Sequence, residues 1–193
     1  MAAPSIDGMR VAFVMANEGV EMVEMTRPWE AVQLAGGRPQ RVAPQPGEVQ
    51  AFNHLDKAER FPVDWTTSEV DADLFDALVL PGGVANPDEL RMDRPAVALV
   101  RAMFEAGKPA AVICHGPWTL VEGDLVRGRT LTSWPSLQTD IRNAGGTWVD
   151  EEVQLCTGGP NVLVTSRKPD DLPAFCNTLL EVFAEARDRS SVG

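Results

Sequence analysis

The run of this sequence whose residue types and spacing suggest covalent chemistry is Ala110-Ala-Val-Ile-Cys-His-Gly-Pro-Trp118. The β-branched Val112 and Ile113 suit a buried strand, Gly116 suits a tight turn, and Pro117 suits the first turn of a helix. Cys114 then sits at a sharp strand-to-helix corner, its sulfur near unpaired helix N–H groups that favour a thiolate. Helix charge contributes about 0.3–1 kcal/mol, less than one pKa unit, so it does not make a thiolate alone. A protonated carboxyl donating to the sulfur would add to it, whereas an ionised one would oppose it. Glu21 is the candidate for that carboxyl. His115 is the adjacent candidate base, and the N–H groups of Gly82, Gly83 and His115 are candidate oxyanion donors. Each has a plainer reading: Cys114 as a small buried hydrophobe, Glu21 as a solvated acid beside Glu18 and Glu24, His115 as a packing residue, and the glycines as a turn.

Such groups need strands that end together. Arg10 to Ala16 is a near-continuous apolar run, the pattern of a strand buried on both faces of a parallel sheet. Thr26 reads as an N-cap with Pro28 in the first turn of a helix that Gly36-Gly37 closes. Arg38 to Ala43 is a second strand, and Pro44 to Ser68 reads as a hairpin plus a loop. Asp76 to Gly83 is a further buried strand, followed by a helix from Pro95 to Ala106. Past the cysteine come a short strand at Thr130–Ser133 and a helix from Pro135 to Ala144. Trp148–Leu155 and Asn161–Thr165 form a hairpin around Thr157-Gly-Gly-Pro160, and a last helix runs from Asp170 to about Ala186. Strands alternating with helices predict an α/β fold, a mostly parallel sheet with helices on both faces. Ligands in such folds collect at the carboxyl ends of strands, where Asn17–Glu21, Pro81–Gly83 and Cys114–Gly116 fall.

Composition narrows the function. At 193 residues with 44% hydrophobic and 23% charged residues, one domain is expected, with tails at 1–8 and 187–193. A net charge of −11 disfavours nucleic acid and anionic membranes as partners. With no apolar run of membrane-spanning length and no basic, apolar leader at residues 1–8, a cytoplasmic protein is expected. Three cysteines match neither a disulfide scaffold nor a zinc pattern, and two histidines exclude a histidine-rich metal site. No metal and no cofactor are expected, since neither G-x-G-x-x-G nor a Walker pattern appears. A class I glutamine amidotransferase would need a late histidine, and none follows His115.

A set of motifs spread along the chain supplies more: Ala16-Asn17-Glu18 through Val23-Glu24, Ala77 to Gly83, Gly107-Lys-Pro109, Ile113-Cys-His-Gly-Pro117, Arg127-Gly-Arg129, Asn143-Ala-Gly145 with Trp148-Val-Asp150, and Thr165-Ser-Arg167 with Pro169 to Leu172. On these the chain resembles the PfpI family of the intracellular protease I type, in the superfamily that includes the parkinsonism-associated deglycase, and within it the general stress proteins. The resemblance implies a flavodoxin-like three-layer sandwich, a reactive Cys114, and Glu21 as the protonated carboxyl beside it. It also implies that His115 is oriented by an acid from a neighbouring subunit, matched at Asp88, with Glu89 as the alternative in a segment one residue longer. His54 and Asp56 are expected to line the pocket, and Cys156 and Cys176 to be structural. The implied assembly is a homodimer or larger, and the implied substrates are peptides or reactive carbonyl adducts on amines and thiols. Two functions follow, a cysteine hydrolase in stress protection, or a redox-sensing stress protein or chaperone whose Cys114 is oxidised to sulfinic acid.

Overall fold

The computed structural model describes residues 4–190 of the chain. It opens with β1 (Arg10–Val14), β2 (Glu18–Glu21), α1 (Met22–Leu34), β3 (Arg38–Ala43), the hairpin strands β4 (Glu48–Asn53) and β5 (Asp56–Pro62), and β6 (Trp65–Thr66). The middle holds β7 (Ala77–Leu80), α2 (Ala85–Leu90), α3 (Arg94–Glu105), β8 (Ala110–Ile113) and α4 (Pro117–Glu122). The rest is β9 (Thr130–Leu131), α5 (Gln138–Asn143), β10 (Thr147–Trp148), β11 (Val153–Cys156), β12 (Leu163–Ser166) and α6 (Leu172–Ser190).

Among the described residues the main sheet has seven strands in the order β11-β12-β8-β7-β1-β3-β6, parallel except at β11. Its central order, β3-β1-β7-β8-β12, is that of flavodoxin, and the chain reverses direction across the sheet between β1 and β7. Successive side chains of β1 point to opposite faces. Val11 and Phe13 pack into a core shared with α1 and α6, while Ala12 and Val14 pack into a second core shared with α3. Helices therefore cover both faces, as the α/β reading expects. In α3, Asp93 caps the helix by accepting the Ala96 N–H at 2.9 Å, and Ala96, Leu99, Val100, Met103 and Phe104 form its buried stripe.

A smaller sheet, β2-β4-β5, contains the expected hairpin and a strand the sequence did not reveal. β2 pairs in parallel with β4, and the Glu21 N–H donates to the Gly82 carbonyl at 3.2 Å. This ties the smaller sheet to the end of β7.

Three elements depart from expectation. α1 starts at Met22, directly out of β2, so Thr26 is not its N-cap and Pro28 lies inside it. Pro28 has no N–H for the Glu24 carbonyl one turn back, a defect that costs about 3 kcal/mol in an ordinary helix. Burial of Met25 and Val32 against the sheet holds the helix together across it. The span Trp148–Leu155 is broken into β10, which pairs with β9, and β11, because the acidic run Asp150-Glu-Glu152 between them joins neither. The chain ends are packed where described: Ile6 is fully buried, and α6 runs to Ser190, with Arg187 Nη1 donating to Ser5 Oγ at 3.2 Å. The outer parts of the expected tails, 1–3 and 191–193, lie outside the described residues. Among the described residues no helix is long and apolar enough to cross a membrane.

Candidate active site

Residues 114–116 turn the chain from β8 into α4. Cys114 has φ 62°, in the left-handed region that strains any residue with a Cβ. Two neighbours pin it there: its N–H donates to the Ser166 carbonyl at 3.0 Å, and its carbonyl accepts the Trp134 N–H at 2.9 Å. The side chain, 6% exposed, lies on a cavity of about 740 Å³ at the carboxyl end of the main sheet.

The carboxyl beside the sulfur is Glu24, not Glu21. With α1 beginning at Met22, Glu24 falls in the first turn on the face that packs against the end of β7, and it is fully buried. Its Oε2 accepts the Gly82 N–H at 2.9 Å, and Oε2 and Cys114 Sγ both crowd against Gly82. Burial pushes its pKa up to about 8, and the charge of Glu21 adds to the effect, so Glu24 holds a proton at neutral pH. Glu21, the last residue of β2, instead accepts the His54 N–H on Oε2 at 3.0 Å, at the cavity mouth.

The Gly82 N–H is thereby committed to Glu24 and is not an oxyanion donor. The N–H groups of Gly83 and His115 favour the charged form of the sulfur. Gly82 is also where three groups meet: a Cβ added there would lie on Glu24 Oε2, 2.5 Å from Cys114 Cβ and 3.0 Å from Sγ. Gly82→Ala is expected to destabilise the fold by about 1–3 kcal/mol through this overpacking and to slow alkylation of Cys114. Urea denaturation and iodoacetamide kinetics check both.

Burial raises the Cys114 thiol above its ordinary pKa, and the charge Glu24 takes on above about pH 8 adds to the rise, against the Gly83 and His115 N–H groups. The resting sulfur is a thiol, which replaces the expected preformed thiolate. His115 does reach it: Nδ1 is 3.1 Å from Sγ, and Nε2 is 3.5 Å from Ser136 Oγ. The ring stacks on Trp134 at 5.8 Å and meets the edge of Trp118 at 5.3 Å. Burial pushes its pKa down to about 4, so the imidazole is neutral. A thiol donating to Nδ1 and Nε2–H facing Ser136 is the tautomer that satisfies both contacts.

The other expected residues are spread around the mouth. Asp88 and Glu89 are exposed on α2 and line the cavity, but neither is joined to His115 among the described residues. His54 lines it from the β4–β5 turn with φ 56°, whereas Asp56, exposed at the start of β5, is not on the cavity wall. The sequence missed Glu24, Trp134 and Ser136. Glu24 lies one helical turn past Glu21, a spacing that would have offered it as the alternative; Trp134 and Ser136 carry no local signal. Among the described residues no group of three or more His, Cys, Asp or Glu side chains is placed to hold a metal ion.

Comparison with known proteins agrees with this fold. The DJ-1/PfpI family model matches residues 9–182. The chain is 36% identical over 174 residues to Deglycase PfpI of Pyrococcus furiosus, covering 90% of this chain and 99% of that protein. It is 36% identical over 168 residues to General stress protein 18 of Bacillus subtilis, covering 87% and 94%. The solved ThiJ/PfpI domain protein of Brachyspira murdochii superposes with a TM-score of 0.83 at 21% identity, over 93% of this chain and 98% of that one.

Proposed function

We propose that this chain, which belongs to the DJ-1/PfpI family, is a cysteine-dependent hydrolase acting on carbonyl adducts of amines and thiols or on peptides. The observation that carries this reading is the 3.1 Å contact of Cys114 Sγ with His115 Nδ1 at the strained turn. In the first step the S–C bond forms to the carbonyl carbon as Nδ1 takes the thiol proton. The carbonyl electron pair moves onto oxygen, for which the Gly83 and His115 N–H groups beside the sulfur are the candidate donors. For a peptide, the imidazolium then gives the proton to the departing amine as the C–N bond breaks, and water adds to the carbonyl carbon of the Cys114 thioester, breaking the S–C bond, releasing the acid and returning a proton to sulfur. Glu24, protonated at neutral pH, adds no like charge to the developing anion. The relative named a deglycase supports adducts as substrates, and the one named a general stress protein supports a protective role.

The orienting acid implied for Asp88 requires a second copy of the chain, because its own His115 meets Ser136 instead. The redox reading has less support. Peroxide oxidises the thiolate form, and this thiol is raised, whereas a hydrolase removes the proton as the bond forms.

The test compares wild type with Cys114→Ser on methylglyoxal adducts of N-acetyllysine and on fluorogenic peptides. Turnover is expected to fall by at least about 100-fold in the variant. Equal turnover overturns the hydrolase reading. Mass increase of wild type, but not the variant, with peroxide alone and with no turnover would favour the sensor.

A further inference from the structure

His115 must hold an angle as well as a position. Nδ1 is the nitrogen that faces the sulfur, and a half-turn about the Cβ–Cγ bond would put Cδ2, a carbon with no lone pair, in its place. In a catalytic triad a carboxylate on the far nitrogen fixes that angle. Here the far nitrogen, Nε2, meets only Ser136 Oγ at 3.5 Å, and among the described residues no carboxylate bonds to the ring.

Ring packing takes over the task. Trp134 stacks on the imidazole with the planes 22° apart, and Trp118 meets it at 62°. A half-turn sweeps the edge of the imidazole through the ring stacked on it, so His115 turns only if the indoles give way. Each indole is anchored separately. Trp134 is tied through its backbone, the N–H donating to the Cys114 carbonyl at 2.9 Å. Trp118, half-buried on α4, is tied through its side chain: Nε1–H donates to Asp140 Oδ2, on α5, at 2.8 Å. The exposed Asp140 side chain has no other hydrogen bond or ion pair among the described residues. Arg91, whose guanidinium lies 5.9 Å from the centre of the Trp118 ring, is paired with Glu122 instead.

Resting on the hydrolase reading, we propose that Asp140 is a positioning residue: acting through Trp118, it latches the indole that, with Trp134, holds His115 Nδ1 against the Cys114 sulfur. The imidazole is thereby oriented within one chain, with no acid on Nε2.

Hydrolysis of the methylglyoxal adduct of N-acetyllysine tests the latch. Asp140→Ala is expected to lower kcat about five- to tenfold with KM unchanged, because the base loses its alignment while the substrate keeps its place. Asp140→Asn, whose Oδ1 still accepts the indole N–H, should return kcat to within about twofold of wild type. Asparagine brings no charge to the first turn of α5, so this rescue separates the latch from a stabilised helix end. Trp118→Phe should lose a similar factor, and Asp140→Ala should add nothing to it, since the two residues act as one unit. Iodoacetamide labelling of Cys114 at pH 9 should stay within about twofold in both Asp140 variants, because it needs the thiolate and not the base.

Long-range 1H–15N spectra read the ring without turnover, and the chain has only two histidines to assign. In wild type, His115 should show a protonated Nε2 and a bare Nδ1. In Asp140→Ala the two 15N shifts should converge as tautomers mix, and in Asp140→Asn they should stay apart. An unchanged kcat or unchanged shifts in Asp140→Ala, a loss confined to KM, or no rescue by asparagine overturns the proposal. Shifts that follow this order with no turnover by wild type would overturn the hydrolase reading and leave the latch standing.

Discussion

Glu24→Gln is expected to stabilise the protein by about 4–5 kcal/mol at pH 8.5 and by less than about 1 kcal/mol at pH 4.5. In the unfolded chain the carboxyl titrates near 4.5, while in the fold burial holds the proton on it to about 8. Between these values the unfolded state has released a proton that the folded state retains. Stability contributed by this group is therefore whole below pH 4.5, falls as pH rises, and is lost above about 8. Glutamine is neutral throughout and similar in shape. Its carbonyl oxygen can accept the Gly82 N–H in place of Oε2, and its NH2 group would occupy the position of Oε1, which has no hydrogen-bond partner of its own. Urea denaturation of both proteins at the two pH values checks the difference. The same gain at both would mean that Glu24 is ionised in the fold, and that its protonated state is not what lies beside Cys114.

The cysteine turn and the misplaced carboxyl show what sequence can and cannot carry here. The turn is written locally: Val112-Ile113 fill a buried strand, Gly116-Pro117 open a helix, and the thiol between them has nowhere else to go. The main-sheet strands are legible for a similar reason, since runs such as Ala77–Leu80 are buried on both faces. Glu24 fails because a strong local signal, Thr26 before Arg27-Pro28, competes with a weak non-local one. The helix starts five residues earlier only because β2 feeds straight into it and Met25 packs on the sheet. β2 itself is four residues long and is fixed by pairing with β4, well downstream in the chain, which no periodicity within Glu18–Glu21 reports. Trp134 and Ser136 arrive on the segment between β9 and α5, placed by the Trp134 N–H bond to the Cys114 carbonyl rather than by any pattern of their own.

His115→Ala is expected to lower hydrolytic turnover by about 10²–10⁴-fold while changing alkylation of Cys114 at pH 9 by no more than about threefold. The two reactions ask different things of the imidazole. Alkylation consumes whatever thiolate exists, and the N–H of residue 115 and that of Gly83 still face the sulfur in the variant. Hydrolysis needs a proton taken from sulfur and returned to the leaving group, and Nδ1, 3.1 Å from Sγ, is the neutral acceptor in position to do both. The pH profile carries the same signature. A base must be unprotonated to act, and burial lowers this one to about 4, so the acidic limb of the wild-type rate should fall near pH 4 and not near the 6.5 of an ordinary histidine. Ser136→Ala, which removes the contact at Nε2, should cost only a fewfold loss, because the 3.5 Å separation marks a weak hydrogen bond. Turnover and iodoacetamide labelling measured side by side on the three proteins decide the matter. Wild-type turnover in His115→Ala would remove this imidazole from the mechanism and require another base for the thiol proton.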